Sequence, residues 1–297
     1  MLNIVGYRRL YYVFSTLMVV LAILAVGVWG LKEGIDFSGG SAWQVSFEKS
    51  VELQALRDFV GKDLDVKQYS VVDQPSSKSY VIRLPEISEA THKDYAKKMT
   101  DKFGVVNELS FESIGPLIGS ELKSGALWAF ILVLLTISLY VTFVFRKVSY
   151  PVKSWKYGVV TLLTLFHDAF IPVGLAAILG HFQGLEVGIN LVVAILVVIG
   201  FSVHDTIVVL DRTRENLRKA VKNEDFATLV NRSLNQTLAR SINTSLTLVI
   251  VLLALYFLGP VSLSYFILMI LVGVIFGTYS SICVASSLIV SWRGRVV

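Results

Sequence analysis

The chain has 297 residues, of which 54% are hydrophobic and only 16% are charged. This proportion is too apolar for an ordinary soluble domain, and the apolar residues fall in blocks long enough to cross a bilayer. The net charge of +5 is small, and we attribute it to membrane topology rather than to nucleic-acid binding. The only cysteine, Cys283, lies in an apolar block, so we expect neither a disulfide framework nor a cysteine-based metal site.

Six apolar blocks predict six transmembrane helices. The predicted spans are 10–31, 125–145, 157–179, 187–210, 241–258 and 263–290. The sequence therefore predicts three regions, which are an N-terminus with the first span (1–31), a hydrophilic domain (32–123) and a block of five spans (124–297).

Lysine and arginine collect next to alternate ends of these spans. They are Arg8, Arg9, Arg146, Lys147, Lys153, Lys156, Arg212, Arg214, Arg218, Lys219, Arg293 and Arg295. The connections 181–186 and 259–262 contain neither residue type. By the positive-inside rule, both termini and the loop 211–240 are predicted to be cytoplasmic, and the hydrophilic domain extracytoplasmic. The mixed charges of that loop are consistent either with retention of topology or with docking of a cytoplasmic partner.

The hydrophilic domain alternates between strand-like and helix-like patterns. Strands are predicted at 41–47, 67–72, 80–84 and 105–111, and helices at 51–60 and 89–103 with Ser88 as N-cap. The order β-α-β-β-α-β is the ferredoxin-like arrangement, so the fold class is a six-helix membrane protein with an α+β domain between helices 1 and 2. His92 stands alone on a polar helix face, and we predict a solvated side chain.

The fourth predicted span contains an ionisable pair, His204 and Asp205. Charge within the hydrocarbon region is costly and usually marks a route for ions or protons. A carboxylate in such surroundings can bind and release a proton near neutral pH. Adjacent helical residues point about 100° apart, so the two side chains should not face one partner. The alternative is a carboxylate that only forms a hydrogen bond with a neighbouring helix.

The third predicted span contains Asp168 near its middle, after His167. Pro172 cannot donate the helical hydrogen bond to the Asp168 carbonyl, which leaves an acceptor for water or a polar neighbour. A purely structural kink would explain the same pattern. The repeated His-Asp dipeptide is only a weak indication of a metal hydrolase, because no further spaced ligand accompanies it. Asp168 and Asp205 could also face each other as in an intramembrane aspartyl protease, but no Gly-x-Gly-Asp signature is present.

Two further features lie in the last two spans. Arg240 begins the fifth span and could be a fixed counter-ion for a titrating carboxylate, or could simply extend to the membrane surface. A small residue at every fourth position of the sixth span predicts close helix packing, and these residues are Gly273, Gly277, Ser281 and Ala285.

Four short stretches together resemble a known family. The glycine-rich run GIDFSGGS at 34–41 permits a sharp turn after the first span. The others are SVHDTIVVLDRTREN at 202–216, SIGP at 113–116 with Gly119, and ARSINTSLT at 239–247. With these stretches, essentially the whole chain resembles the SecF family of protein-export membrane subunits, which belongs to the RND superfamily. His204 departs from the pattern, because the family usually has asparagine there.

The resemblance implies a non-enzymatic subunit that uses the proton-motive force, together with SecD, to assist preprotein translocation across the bacterial cytoplasmic membrane. It implies no cofactor, with protons as the coupling ion. The implied partners are SecD, the SecYEG translocon, YajC, unfolded preproteins and membrane lipid, with no nucleic acid. An alternative is half of an RND-type lipid or small-molecule exporter, although such exporters normally carry two halves in one chain.

The resemblance also implies roles for particular residues. It assigns proton coupling to Asp205 and Arg240, with His204 and Asp168 as further candidates from their position in the spans. Protonation of Asp205 is expected to weaken its attraction to Arg240 or a polar neighbour and so to shift helix packing. A hinge is predicted to transmit that shift to the hydrophilic domain, at Gly34, Asp36, Gly39 and Gly40.

Overall fold

The computed structural model describes residues 1–48, 50–74, 78–147, 152–219 and 224–292. The chain forms two compact units. The helical unit comprises Met1–Lys32 and Leu127–Val297, and the sheet unit comprises Glu33–Ala126. Arg293 and Arg295, which contribute to the predicted orientation, lie outside the described residues, as do residues 75–77 between the second and third predicted strands.

The regular elements are as follows in chain order. The helices are α1 (Arg8–Trp29), α2 (Ile35–Ser38), α3 (Leu53–Asp58), α4 (Glu89–Phe103), α5 (Pro116–Val144), α6 (Ser154–Gln183), α7 (Ile189–Arg218), α8 (Phe226–Leu258), α9 (Ser264–Tyr279) and α10 (Ser286–Ser291). The strands are β1 (Gly40–Phe47), β2 (Ser70–Gln74), β3 (Ser79–Leu84) and β4 (Val106–Ile114). Two π-helical segments, Phe59–Asp63 and Ser280–Ala285, follow α3 and α9.

Six helical segments of the described chain are long and apolar enough to cross a membrane, which confirms the six predicted spans. They are Val5–Trp29, Pro116–Val144, Ser154–Gln183, Ile189–Arg218, Phe226–Leu258 and Ser264–Ser291. Most of them extend beyond the predicted bounds, because hydropathy marks the apolar part of a helix and not its end. The chain is a multi-pass membrane protein.

Within the described residues, the charged segment 211–240 is largely helical. α7 continues to Arg218 with ion pairs one turn apart, such as Arg214 with Asp211 at 2.9 Å. Pairs at this spacing favour a helix. α8 begins where the Asp225 carboxylate accepts hydrogen bonds from the N–H groups of Ala227 and Thr228, at 3.1 and 3.3 Å. Helical structure therefore extends from both spans into the polar segment.

The sheet unit contains a small antiparallel sheet with strand order β2-β3-β1-β4. Trp43 of the central strand β1 lies opposite Ile82 of β3 and Phe111 of β4. Trp43, Leu56, Phe59, Ile82 and Met99 are fully buried and form the centre of the core. α4 has the predicted bounds, and the Ser88 side chain accepts a hydrogen bond from the Thr91 N–H at 3.2 Å, as predicted.

The prediction of a solvated His92 was wrong. Its side chain is 6% exposed and its ring stacks on Phe111 with centroids 3.7 Å apart. Trp43 meets the same ring edge-on at 4.9 Å. Glu108 Oε2 lies 2.9 Å from His92 Nε2 and also accepts a hydrogen bond from Trp43 Nε1 at 2.8 Å. The helix pattern did not reveal this environment, because the rings that cover His92 lie on strands β1 and β4, outside the helix.

The glycine-rich run after α1 forms a tight turn, as predicted. Gly39 and Gly40 have φ angles of +74° and +114°, which strongly favour glycine. A Cβ atom on Gly39 would lie 2.7 Å from the Cα atom of Pro116. A Cβ atom on Gly119 would lie 2.9 Å from the backbone nitrogen of Gly39. The start of α5 and this turn are therefore packed backbone to backbone.

Glycines of the sixth span provide close packing, as predicted for its first half. A Cβ atom on Gly273 would lie 2.2 Å from Val198 Cγ2, and one on Gly277 would lie 3.1 Å from the Cβ atom of Ser202. Ser281 and Ala285, the other two residues of the predicted spacing, are also buried, and they lie in the π-helical segment Ser280–Ala285.

Candidate functional site

Asp205 is buried in the helical unit and accepts one side-chain hydrogen bond from the residues that the structure describes. Its side chain is 2% exposed and lies on the face of α7 that packs against α8. Ser245 of α8 donates the hydrogen bond that reaches the carboxylate, with 3.4 Å between Oγ and Oδ2. A carboxylate held by one long hydrogen bond is poorly compensated for the loss of water. Such a group can respond to small changes in its surroundings by binding or releasing a proton.

Two hydroxyl groups connect Asp205 to the sixth span. Thr278 Oγ1 of α9 donates to Ser245 Oγ at 2.6 Å, and Ser245 in turn reaches Asp205. Each hydroxyl has one proton and a second acceptor within its own helix, which is the Val274 carbonyl at 2.9 Å for Thr278 and the Ser241 carbonyl at 2.8 Å for Ser245. The protons can therefore point along the chain of hydroxyls towards Asp205 or back to the helix carbonyls.

His204 and Arg240 lie apart from this contact. His204 is exposed while Asp205 is buried, which confirms that the two adjacent side chains face different surroundings. Arg240 is also exposed, and in the described part of the chain it forms no salt bridge. The structure does not place Arg240 beside Asp205, although the sequence offered Arg240 as its counter-ion. Ser245, more than one turn further along α8, occupies the position beside the carboxylate, because it lies on the helix face that packs against α7.

Asp168 forms a second and much better satisfied site. It is fully buried on α6, and His167 Nδ1 lies 2.7 Å from its Oδ1 atom. Its Oδ2 atom accepts hydrogen bonds from Ser202 of α7 and from Ser280, the latter at 2.6 Å. α6 continues through Pro172 to Gln183, so the proline does not end the helix. Asp168 therefore joins three helical segments through one carboxylate.

The two sites share α7 and the end of α9. Ser202, which binds Asp168, precedes Asp205 on α7 by about one helical turn. Thr278, which leads to Asp205, and Ser280, which binds Asp168, are two residues apart where α9 becomes π-helical. A change at either carboxylate can thus reach the other through the same two segments. Within the described residues, no hydrogen bond joins the two carboxylates, so the geometry expected of an aspartyl dyad is not supported.

Sequence reasoning missed the serines and the threonine that bind these carboxylates. Ser202, Ser245, Thr278 and Ser280 are common residues in apolar helices, and nothing in their local pattern separates them from packing residues. The one available signal was the run of hydroxyl residues at 278–281 after a glycine. π-helical turns often occur at functional sites, but they cannot be predicted from local pattern.

The described residues contain no group of three or more His, Cys, Asp or Glu side chains that could hold a metal ion. What the structure does contain is six apolar helices with two carboxylates buried among them. This combination is typical of membrane proteins that couple a conformational change to the movement of protons or ions.

Comparison with known proteins identifies the family. The model described as "Protein export membrane protein SecD/SecF, C-terminal" matches residues 94–295. The protein translocase subunit SecF of Thermobaculum terrenum is 40% identical, over 99% of this chain and 95% of its own length. That of Anaerolinea thermophila is 36% identical, over 99% and 94% respectively. The chain belongs to the SecD/SecF family of protein-export membrane proteins.

A longer relative and its structure add a second comparison. The protein translocase subunit SecDF of Thermus thermophilus is 38% identical over 99% of this chain. The crystal structure of SecDF from this organism, titled a translocon-associated membrane protein, superposes with a TM-score of 0.84 at 36% identity. A structure of SecDF in a super-membrane-facing form gives a TM-score of 0.68. The chain spans 39% of the length of SecDF.

Proposed function

We propose that this chain is the SecF subunit of a bacterial protein translocase and assists the export of proteins across the cytoplasmic membrane. The observation that carries the proposal is its match to SecF relatives along nearly their whole length, which is 95% for the relative from Thermobaculum terrenum. None of the comparisons supports the alternative of a lipid or small-molecule exporter. The relatives are named as translocase subunits, which is a transport role rather than an enzymatic one.

We propose SecD as the principal partner. The SecDF protein of Thermus thermophilus is more than twice as long as this chain, which covers 39% of it. The remainder of that protein would correspond to a separate SecD subunit here. Because the SecDF structure is titled translocon-associated, the SecYEG translocon is the second proposed partner. YajC and unfolded preproteins remain predictions from the family resemblance.

We place the sheet unit on the outer side of the membrane, as a ferredoxin-like domain between the first and second spans. Support comes from its element order, its antiparallel strand order and the distribution of lysine and arginine around the spans. Both termini and the polar ends of α7 and α8 would then be cytoplasmic. The division into regions 1–31, 32–123 and 124–297 stays a prediction from the positions of the apolar blocks. The outer domain would bind the exported chain as it emerges.

Asp205 is the proposed site of proton coupling, with no cofactor. Its burial, and the one long hydrogen bond that it accepts from the described residues, support this assignment over Asp168, which has three close partners. Proton binding at Asp205 would change which acceptor the Ser245 and Thr278 hydroxyls prefer, and so the packing of α7, α8 and α9. Each proton crossing the membrane releases about 2.3 kcal/mol per 100 mV, which is comparable to several such hydrogen bonds.

The other predicted site residues have more limited support. Arg240 keeps its predicted role in proton coupling, but in an arrangement other than a direct pair with Asp205. His204 is exposed, and among the described residues no hydrogen bond or salt bridge joins it to Asp205. The segment containing Gly34, Asp36, Gly39 and Gly40 would transmit motion as a rigid junction with the start of α5, because Gly39 and Gly119 leave no room for side chains there.

The test is proton-motive-force-dependent export into inverted membrane vesicles that contain the complete translocase. We expect Asp205→Asn to abolish the stimulation by the proton-motive force while ATP-driven export continues. Asp211→Asn is the matched control, because Asp211 lies on the same helix but is exposed and paired with Arg214 at 2.9 Å. Both variants should accumulate in the membrane with a SecD-like partner. Full stimulation with Asp205→Asn would disprove the assignment of the coupling site.

A further inference from the structure

A cavity of about 490 Å³ lies where the beginnings of α1 and α8 meet. Two arginines, Arg8 and Arg9, line it together with Asn3, Thr228 and Asn231. None of the described residues that line it is acidic. Its volume is within the range of sites for small ligands and head groups. No role proposed above uses this cavity.

The wall of the cavity is held in place by a clamp between the N-terminal segment and α8. Asn231 Oδ1 accepts hydrogen bonds from the backbone N–H groups of Ile4 and Val5, at 2.8 and 3.2 Å. Asn231 and Asn235 also donate to the Leu2 carbonyl, at 2.8 and 2.9 Å, and Asn235 Oδ1 accepts from the Leu2 N–H at 2.8 Å. This clamp fixes the start of α1, and therefore the backbone positions of the two arginines.

Among the described residues, no acidic side chain forms a salt bridge with the arginines of the cavity. Arg8 and Arg9 are exposed, and neither forms a salt bridge with any residue that the structure describes. The nearest turn of α8 carries Asp225, whose carboxylate already accepts from the Ala227 and Thr228 N–H groups. The helix terminus is therefore satisfied by its own cap. The two guanidinium groups therefore remain available to bind a ligand in the cavity.

We propose that this cavity binds the phosphate of an anionic phospholipid head group. Guanidinium groups match the geometry of phosphate oxygens and bind them through paired hydrogen bonds. Arg8 and Arg9 directly precede the apolar part of the first span, which places them at the depth of lipid head groups. Basic pockets between transmembrane helices are a recognised form of site for anionic lipids. In the proposed orientation, the lipid comes from the cytoplasmic leaflet.

The experiment measures lipid binding to the purified full-length chain by native mass spectrometry. The chain is delipidated in mild detergent and titrated with phosphatidylglycerol or, separately, with phosphatidylcholine. We expect phosphatidylglycerol to bind in preference, and Arg8→Gln/Arg9→Gln to weaken it at least about tenfold, because each cation near a membrane surface contributes substantially to anionic lipid binding. Thr228→Phe should also weaken it, since the larger side chain fills the cavity and leaves both arginines unchanged.

The matched control is Lys153→Gln/Arg218→Gln, which removes two exposed positive charges from the same predicted face outside the cavity. We expect it to bind phosphatidylglycerol like the wild type. Equal losses in the control and in the arginine variant would overturn the proposal in favour of diffuse surface charge. If millimolar sodium phosphate displaced the lipid, the cavity would be a site for free phosphate, and the proposal of a lipid head group would be overturned. Each variant is first checked for an unchanged thermal unfolding temperature, so that loss of fold is not mistaken for loss of the site.

Discussion

Replacing Ser280 by alanine removes one of the hydrogen bonds that hold Asp168. Ser280 Oγ lies 2.6 Å from Asp168 Oδ2, and both groups are fully buried. A hydrogen bond to an ionised partner contributes about 1.5–3 kcal/mol, whereas one between neutral groups in a membrane protein averages about 0.6 kcal/mol. His167 Nδ1 and the Ser202 and Ser280 hydroxyls all contact this carboxyl group, so truncating Ser280 leaves a buried oxygen atom with one donor fewer. We therefore expect Ser280→Ala to lower the free energy of unfolding by about 1–3 kcal/mol.

The sixth span provides a closely matched control. Ser287 is also buried, but its hydroxyl has no hydrogen-bond partner among the residues that the structure describes. We expect Ser287→Ala to be neutral or slightly stabilising, because it removes a buried polar group that no contact compensates. Equilibrium unfolding of the full chain in mixed micelles measures both changes. A loss below about 0.6 kcal/mol for Ser280→Ala would refute the view that the Ser280 hydroxyl helps Asp168 to join the helical segments.

Two further predictions concern packing. We expect Gly174→Ala to reduce the fraction of monodisperse chain after solubilisation, because the added Cβ atom would lie 2.5 Å from the Cα atom of Ala22 and force α1 away from α6. Gly200→Ala is the control and should raise stability slightly, because no atom lies within 4 Å of its added Cβ atom. Equal behaviour of the two variants would contradict this prediction. We expect His92→Ala to lower the stability of α4 by about 1–3 kcal/mol, because two aromatic contacts are lost. Hydrogen exchange of the full chain measures this, with exposed Lys93→Ala as the control that should change little.

The fold could be predicted where it depends on local pattern. The six spans follow from the length of each apolar block, because a helix must satisfy its own backbone hydrogen bonds within the bilayer. The bounds of α4 follow from the apolar spacing and the Ser88 cap. Helix ends were less predictable, since α7 and α8 continue into polar sequence where ion pairs and the Asp225 cap support them.

The sequence revealed the two carboxylates of the candidate site but not the residues that bind them. Asp205 and Asp168 were found because charge within an apolar block is rare and costly. Their partners were not found, because a serine in a transmembrane helix has the same local pattern whether or not it binds a carboxylate. Arg240 was the more conspicuous partner for Asp205, but its side chain lies off the face that packs against α7.

The sequence by itself determined which segments span the membrane and which of them carry a carboxylate, since both depend on the composition of a continuous stretch. Only the tertiary structure decided what those carboxylates contact. Ser280 is more than 100 residues from Asp168 along the chain, and it reaches Oδ2 because α9 packs beside α6 and then becomes π-helical. The burial of His92 beneath β4 and the cavity at Arg8 and Arg9 arise in the same way, from elements that meet only after folding.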